Sequence, residues 1–282
     1  MNVLNRLSNT VALVTGASRG VGKGVALGLG EAGATVYLTA RTLGPGDSHL
    51  PGTLMQTAEE VTRLGGRGIA VQCDHADDAQ VVAVFRRVLA EQGHLDLLVN
   101  NAFATPVGAW DEVPFWELPL DLWDRLITVG LRSYYVASAV AARQMVTQQR
   151  GLIVNISSVG SRIHLREVPY NVGKAGVEKL TADTAEELRP HGVTVVSLWP
   201  PFTKTELVLA EGEPPADVLP RMATPHFTGR AVAALAGDPH IMDKSGRRFI
   251  AAVLAEEYGF TDLDGTRPAP PSYAQHHGEP TN

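Results

Sequence analysis

The chain has 282 residues, of which 44% are hydrophobic and 19% charged, and its formal net charge is −6 at pH 7. This composition is that of an ordinary globular protein, and it excludes a largely disordered chain and a strongly basic nucleic-acid-binding surface. Cys73 is the single cysteine of the sequence, which excludes an intrachain disulfide framework and favours a reducing compartment.

The sequence carries no segment suited to export or to a membrane. Residues 1–10 lack the apolar core of a signal peptide, and no apolar run approaches the ~18–20 residues that cross a bilayer. We therefore expect a cytoplasmic protein whose partners include neither a membrane nor a nucleic acid.

Short runs rich in β-branched residues alternate with amphipathic segments. The predicted strands are Val11–Val14, Thr35–Leu38, Ile69–Gln72, Leu95–Val99, Leu152–Ile156, Thr194–Leu198 and Arg248–Ala251. The predicted helices include Val21–Ala32, Ala79–Gln92 and Tyr170–Leu188. Nearly continuous apolar strands that alternate with helices are typical of a parallel sheet covered on both faces. We therefore expect an α/β protein: a single-domain, doubly wound Rossmann fold with a seven-stranded, mainly parallel sheet.

Three segments interrupt this alternation. Gly44–Gly52 is rich in glycine and proline, which predicts an exposed loop after the second strand. Ala102–Leu120 carries four large aromatic residues, which either anchor a long loop to the core or face a substrate. Residues 268–282 are rich in proline, glycine and polar residues, so we expect the domain to span residues 1–267 and the tail to be disordered.

A glycine-rich turn follows the first predicted strand and precedes the first predicted helix. It reads Thr15-Gly16-Ala17-Ser18-Arg19-Gly20-Val21-Gly22. Glycines in this position permit a tight turn and let a pyrophosphate approach the backbone N–H groups of the helix N-terminus. The sequence therefore predicts a dinucleotide cofactor.

The spacing Gly-x-x-x-Gly-x-Gly resembles that of the short-chain dehydrogenase/reductase family. Four further motifs in the family's order are similar to it: Asn100-Asn101-Ala102, Asn155-Ile156-Ser157-Ser158, the Tyr-x-x-x-Lys of residues 170–174, and Trp199-Pro200-Pro201-Phe202-Thr203-Lys204-Thr205. The resemblance covers residues 8–255, and the C-terminal end most resembles the subgroup called dehydrogenase/reductase family member 1.

The resemblance implies a set of cofactor contacts spread over all these motifs. They are Gly16, Ser18, Arg19, Gly20, Val21, Gly22, Arg41, Asp74, His75, Asn101, Ala102, Ile156, Tyr170, Lys174, Pro200, Phe202, Thr203 and Thr205. Asp74 matches the family's contact to the adenine amino group, and it is equally suited to cap a helix over residues 76–90.

The end of the second strand bears on the choice between NAD and NADP. An acid that would bind the ribose hydroxyls of NAD is absent there, and Arg41 stands beside its place while Arg19 lies in the glycine turn. Guanidinium groups make charge-assisted, bidentate contacts with phosphate. We therefore expect NADP(H), the alternative being that both arginines are solvated surface residues.

Tyr170 and Lys174 are four residues apart, so on a helix they share a face. An ordinary tyrosine has a pKa of ~10, and a nearby ammonium together with the positive ring of oxidised nicotinamide favours the phenolate. We expect Tyr170 to act as general acid and base while hydride passes between cofactor and substrate, and Lys174, by resemblance, also to bind the nicotinamide ribose.

The position of the serine that polarises the carbonyl is ambiguous. Ser157 has the family's usual spacing of thirteen residues before the tyrosine, whereas Ser158 is the second serine of the pair, as in the family motif. Because loops tolerate insertions and deletions and strand ends do not, we choose Ser158 as the catalytic serine.

One departure from the family pattern affects the expected catalysis. Gly130 stands where the family has an asparagine that helps to bind a water in the proton relay, and Phe103 and Pro201 replace two family glycines. The leading hypothesis remains an NADP(H)-dependent oxidoreductase, and this departure favours the alternative of a catalytically weak NADP-binding sensor or interaction protein.

The histidines, cysteine and acids show no metal-ligand spacing, so no metal is expected.

Aromatic residues in the loops after strands four, five and six predict an apolar pocket. Its expected lining is Phe103, Trp110, Phe115, Trp116, Leu165, Trp199 and Phe202. The expected substrate is an apolar ketone or aldehyde, including bulky ones, or its alcohol, in preference to sugars and charged acids. His164 either contacts that substrate or is solvent-exposed.

By resemblance we also expect a homodimer or homotetramer, formed through the helices before and after the fifth strand.

Overall fold

The apolar runs of the sequence form one parallel sheet. The structure, a computed structural model, describes residues 7–104, 113–210, 212 and 222–268. Its strands are β1 (Val11–Thr15), β2 (Thr35–Ala40), β3 (Arg67–Gln72), β4 (Leu97–Asn100), β5 (Gly151–Ile156), β6 (Val193–Trp199) and β7 (Arg248–Ile250). Within the described ranges they pair in the order β3-β2-β1-β4-β5-β6-β7, and every pairing is parallel. The predicted fold class is confirmed, and the sheet is parallel throughout rather than mainly parallel.

Helices cover both faces of this sheet. They are α1 (Gly20–Glu31), α2 (Leu54–Arg63), α3 (Asp78–Gln92), α4 (Leu120–Ile127), α5 (Ser133–Gln148), α6 (Val168–Leu188), α7 (Glu206–Ala210), α8 (Pro225–Ala236) and α9 (Ala251–Tyr258). One buried cluster joins the sheet to α1, α8 and α9, and a second joins it to α3, α5 and α6. Strands β1, β4 and β6 are buried along their whole length because helices shield both of their faces.

Three expectations need correction or completion. Asp74 does not cap a helix, because α3 begins at Asp78 and Asp77 accepts hydrogen bonds from the N–H groups of Ala79 and Gln80. The Gly44–Gly52 segment is irregular and largely exposed, as predicted, but its last residues lie against the glycine turn. The predicted tail lies outside the described residues from position 269 onward.

Among residues 7–104, 113–210 and 222–268, no helix is both long and apolar enough to cross a membrane. The same residues bring together no group of histidine, cysteine or acidic side chains that could hold a metal ion.

A π-helical turn, Thr128–Arg132, separates α4 from α5. Gly130 is the buried residue of this turn. Such turns occur frequently at functional sites, because the extra residue re-aims the backbone within an otherwise regular helix. Here the turn lies close to the helix that carries the Tyr-x-x-x-Lys motif, since it packs against α6.

Candidate active site

The glycine turn after β1 forms a surface lined by backbone. Gly16 and Gly20 have φ values of +67° and +57°, in the left-handed region that favours glycine. A Cβ atom on Gly22 would lie 2.2 Å from the carbonyl oxygen of Gly16 and 2.3 Å from Nδ2 of Asn101. Side chains at Gly16 and Gly22 would collide with neighbouring backbone atoms and with Asn101, so the turn can take this close-packed shape only with glycine. The turn therefore fits the pyrophosphate of a dinucleotide, which backbone N–H groups at a helix N-terminus attract.

Asn101 fixes this turn against the end of β4. Its side-chain Nδ2 donates to the carbonyl oxygens of Thr15 at 2.9 Å and Gly16 at 3.1 Å. The Thr15 hydroxyl in turn accepts from the N–H groups of Asn101 at 2.8 Å and Ala102 at 3.0 Å. The adjacent β1 and β4 ends thus form one hydrogen-bonded unit, so the predicted residues of both motifs come together.

The Arg19 side chain forms hydrogen bonds with the inserted loop that the sequence did not suggest. The Arg19 guanidinium donates to the carbonyl oxygens of Leu50 at 3.2 Å, Pro51 at 2.9 Å and Gly52 at 2.9 Å. Burial lowers the pKa of Arg19, the charge of Glu206 raises it, and the charge of Arg41 lowers it, so the two arginines lie close enough to interact. Arg41 is exposed. The inserted loop therefore orients Arg19, a role that the sequence did not reveal.

His75 is buried beneath the end of β2. Its Nε2 lies 2.9 Å from the hydroxyl of Thr39, and burial lowers the pKa of the imidazole to about 4 against an opposing effect of Asp74. The ring is therefore neutral at pH 7. Asp74 itself accepts a hydrogen bond from the N–H of Ala76 at 3.0 Å, which fixes the turn after β3.

The segment after β6 folds back toward the glycine turn. A Cβ atom on Gly20 would lie 3.5 Å from Cγ2 of Thr205, so this predicted cofactor residue borders the α1 N-terminus. The Thr203 hydroxyl donates to the Pro201 carbonyl at 2.7 Å. Glu206, which the sequence reasoning missed, accepts a hydrogen bond from the Gly20 N–H at 2.7 Å. Its only sequence signal is an acid directly after the threonine motif.

Tyr170 and Ser158 form a hydroxyl pair at the carboxyl end of β5. The tyrosine hydroxyl donates to Oγ of Ser158 at 2.9 Å, and the same Oγ accepts from the Gly160 N–H at 3.1 Å. Ser157 is 2% exposed and donates to the Lys174 carbonyl oxygen at 3.4 Å. The serine hydroxyl next to the phenol is thus that of Ser158.

Burial controls the protonation of the tyrosine and the lysine. It raises the pKa of Tyr170, while the hydrogen bond with Ser158 and the charge of Arg166 lower it and the charge of Glu167 raises it. Burial also lowers the pKa of Lys174 to about 8, against an opposing effect of Glu178. The Lys174 ammonium donates to the carbonyl oxygen of Ile156 at 3.0 Å and lies 5.8 Å from the centre of the Tyr170 ring.

Burial thus acts on the pKa of Tyr170 in the direction opposite to the lowering expected from a neighbouring ammonium. The phenol loses more by desolvation than it gains from its polar neighbours. Tyr170 is consequently protonated at neutral pH, which suits a proton donor.

The predicted aromatic lining divides into residues at the site and residues elsewhere. Trp199 is fully buried, and its indole Nε1 donates to Glu178 at 2.7 Å, so its assignment to the pocket was wrong. Phe115 and Trp116 are 63% and 71% exposed and pack edge to face on each other, so they do not anchor their loop to the core. Phe103 packs against Tyr170. Trp110 lies outside the described residues, and His164, Leu165 and Phe202 are exposed.

Comparison with known proteins gives consistent similarities. Residues 10–215 match the family described as short chain dehydrogenase. A curated mouse protein, dehydrogenase/reductase SDR family member 1, is 44% identical over 273 residues, which are 92% of this chain and 85% of the mouse protein. The resemblance to this family and subgroup, predicted from the sequence, is confirmed.

Two solved structures are similar along most of the chain. A short-chain type dehydrogenase/reductase from Mycobacterium marinum has a TM-score of 0.74 and 30% identity, covering 88% of this chain and 95% of that one. A metagenomic short-chain oxidoreductase in complex with NADP has a TM-score of 0.68 and 33% identity, covering 83% of this chain and 93% of that one.

Proposed function

The chain belongs to the short-chain dehydrogenase/reductase family, whose members are oxidoreductases that act on small molecules with a nicotinamide cofactor, and from this premise we propose a more specific activity. The protein is an NADP(H)-dependent enzyme that interconverts an apolar ketone or aldehyde and its alcohol. Tyr170 is its general acid and base, Ser158 polarises the carbonyl oxygen, and Lys174 supports both the tyrosine and the nicotinamide ribose.

The 2.9 Å hydrogen bond between the hydroxyls of Tyr170 and Ser158 carries this proposal. A carbonyl oxygen placed between them can accept two hydrogen bonds, and the buried, protonated phenol then donates its proton to that oxygen. When bound, the reduced nicotinamide supplies the two electrons and the hydrogen that the carbonyl carbon gains. In the opposite direction the Tyr170 phenolate, whose negative charge the Lys174 ammonium stabilises, accepts the alcohol proton.

The proposed cofactor contacts combine backbone and side chains around the β1, β4, β5 and β6 ends. The glycine turn and Thr205 hold the pyrophosphate, Asn101 and Ala102 border it, and Lys174 holds the nicotinamide ribose. The remaining proposed contacts are those expected from the sequence: Ser18, Val21, Asp74, His75, Ile156, Pro200, Phe202 and Thr203.

The preference for NADP(H) rests on Arg19 and Arg41. The two side chains interact electrostatically, and the loop carbonyls of Leu50, Pro51 and Gly52 hold the Arg19 guanidinium beside the glycine turn. A 2′-phosphate gains charge-assisted hydrogen bonds from such a pair, and the 2′-hydroxyl of NAD does not. We expect NADPH to bind at least about tenfold more tightly than NADH, a difference of ~1.4 kcal/mol. Equal binding of the two cofactors in fluorescence titrations would contradict this preference.

A panel of carbonyl compounds tests the activity and the substrate class together. NADPH oxidation is followed with apolar, small polar and anionic ketones and aldehydes of similar reactivity. We expect the apolar compounds to give the highest kcat/KM, since Phe103 lies at the phenol and desolvates the carbonyl. Faster turnover of anionic or small polar carbonyls would overturn the substrate class.

The absence of a side chain at Gly130 favours a second function, a catalytically weak NADP-binding sensor or interaction protein. The same panel distinguishes the two functions. A sensor would bind NADPH, but its rate of NADPH oxidation would not exceed that of the Tyr170→Phe variant with any carbonyl compound.

We also propose that the protein is a cytoplasmic homodimer or homotetramer. Trp123 on α4, Tyr135 on α5 and Val172 on α6 are large apolar side chains exposed on helices that flank β5. Isologous pairing of these helices would bury them. Light scattering at micromolar concentration tests the assembly, and a mass near the 30.1 kDa of one chain would contradict it.

A further inference from the structure

Two departures from the family pattern, Phe103 and Gly130, meet in space. A Cβ atom on Gly130 would lie 3.3 Å from Cδ2 of the Phe103 ring and 3.6 Å from its Cε2. Contacts of 3.3 Å are tighter than most real Cβ contacts, so a longer side chain at position 130 requires the ring to move. The phenylalanine therefore occupies the volume that an asparagine at position 130 would take.

The same ring contacts the two proposed acid–base residues. Phe103 meets the Tyr170 ring edge to face, with centroids 5.6 Å apart and planes at 87°. The Lys174 ammonium lies 5.6 Å from the centre of the Phe103 ring, 5.8 Å from that of Tyr134 and 5.8 Å from that of Tyr170. Three aromatic rings thus surround the ammonium, and one of them is Phe103.

This arrangement has two physical consequences. Edge-to-face contact restricts the rotation and tilt of the Tyr170 ring, whose hydroxyl must keep its geometry toward Ser158. The Phe103 ring also excludes water from the lysine while its π-face attracts the ammonium, so the charge stays near the phenol without full solvation. An asparagine at position 130 would instead offer a polar group and admit water.

We propose that Phe103 is a positioning residue that replaces the family's asparagine, through packing, in fixing Tyr170 and Lys174. This inference rests on the proposed role of these two residues. Gly130 is the second half of this arrangement, because a side chain at this position would push against the ring. The missing asparagine then marks a different way of orienting the acid–base pair and not a loss of catalysis.

A double-mutant cycle tests the pairing. Phe103→Gly removes the ring and Gly130→Asn displaces it, so each should lower kcat at least about tenfold, with a smaller change in the Kd for NADPH. The kcat of the double variant Phe103→Gly/Gly130→Asn should be at least about threefold higher than that of the less active single variant, because the two changes compensate in volume. Strictly additive losses would overturn the pairing.

A spectroscopic measurement on the cofactor-free protein gives a readout that does not depend on turnover. The ultraviolet difference between each variant and the same variant with Tyr170→Phe isolates the ionisation of this one phenol. Removing the ring in Phe103→Gly hydrates the phenol, so its ionisation midpoint should move to lower pH. A midpoint and a kcat that both equal those of the unmodified protein would refute the positioning role.

Conservative variants guard against a failure to fold. Phe103→Leu keeps most of the volume but removes the π-face, and Gly130→Ala adds only the atom that meets the ring at 3.3 Å. We expect an intermediate loss of kcat in both, with an unfolding midpoint near that of the unmodified protein. Full activity in both variants would show that Phe103 only fills space. If Tyr170→Phe itself kept its activity, the proposed function would fail independently of the midpoint shift.

Discussion

The carboxylate of Glu206 lies at the α1 N-terminus, where we propose that a cofactor phosphate binds. Its oxygen accepts from the Gly20 N–H at 2.7 Å, and Arg19, the residue that precedes α1, supplies no side-chain cap. An anionic cofactor must therefore displace this carboxylate or share the helix N-terminus with it. We expect Glu206→Gln to bind NADPH more tightly than the unmodified protein.

The size of the effect follows from the bond that is lost. A hydrogen bond to a charged group contributes ~1.5–3 kcal/mol and a neutral one ~0.5–1.5 kcal/mol, so the variant gives up about 1–1.5 kcal/mol of competition. This difference corresponds to roughly five- to thirteenfold tighter cofactor binding. Because Glu206 is only half-buried, salt screens part of the repulsion, and the ratio should shrink between low and high ionic strength.

Fluorescence titration of NADPH into the two proteins at low and high salt measures this ratio. Glu186→Gln is the matched control, since it removes the same charge from an exposed position on α6 and should leave the Kd unchanged. Unchanged or weaker NADPH binding in Glu206→Gln would refute the reasoning, because it would mean that the carboxylate does not compete with the cofactor.

Three further predictions follow from the charges at the site. Arg41→Asp should weaken NADPH and strengthen NADH in binding titrations, and an unchanged ratio of their Kd values would contradict the role of Arg41 in choosing the cofactor. Lys174→Met should stabilise the fold by ~1–2 kcal/mol at pH 7. Burial lowers the pKa of Lys174 to about 8, so the unfolded chain binds the lysine proton more tightly than the folded protein does. Thermal unfolding should show that this gain in stability shrinks as pH rises from 8 towards 10.5. Burial lowers the pKa of His75 to about 4, so between pH 6.5 and 4 the unfolded chain binds a proton that the folded protein does not bind. The free energy of unfolding should therefore fall by at most ~3 kcal/mol as pH drops over this range. If denaturant titrations of a His75→Gln variant gave the same dependence of this free energy on pH, that result would be evidence against the linkage.

Local patterns were sufficient to predict the fold and the principal motifs. Each β-branched run recurs as a strand within a few residues of its expected bounds, because burial on both faces makes these runs continuous and apolar. The glycine turn and the tyrosine–lysine pair were equally readable, since their geometry depends on residues at most a few positions apart in the chain.

Contacts between distant segments could not be predicted in this way. Glu206 and Gly20 are 186 residues apart, and the carbonyl groups that hold Arg19 belong to a loop about 32 residues away. The mutual fit of Phe103 and Gly130 was visible only as two separate departures. Trp199 was misassigned because its partner Glu178 lies on another element.

The tyrosine pKa illustrates a second limit. The sequence supplies the charged neighbour, Lys174, but not the degree of burial, which depends on the whole fold. Burial raises the pKa of Tyr170 and lowers that of Lys174, so it opposes the stabilisation of the phenolate expected from the charged neighbour. The direction of the pKa shift of Tyr170 therefore could not be predicted without the three-dimensional packing.

The acid–base role of Tyr170 is tested most directly by comparing the unmodified protein with Tyr170→Phe. Single-turnover oxidation of bound NADPH by the best carbonyl of the panel is measured alongside the Kd for NADPH. We expect the variant to lose nearly all carbonyl reduction while binding NADPH almost unchanged, since only the proton donor is removed. If the variant kept more than about a tenth of the original rate, another group would have to donate the proton, and the proposed role of Tyr170 would be contradicted.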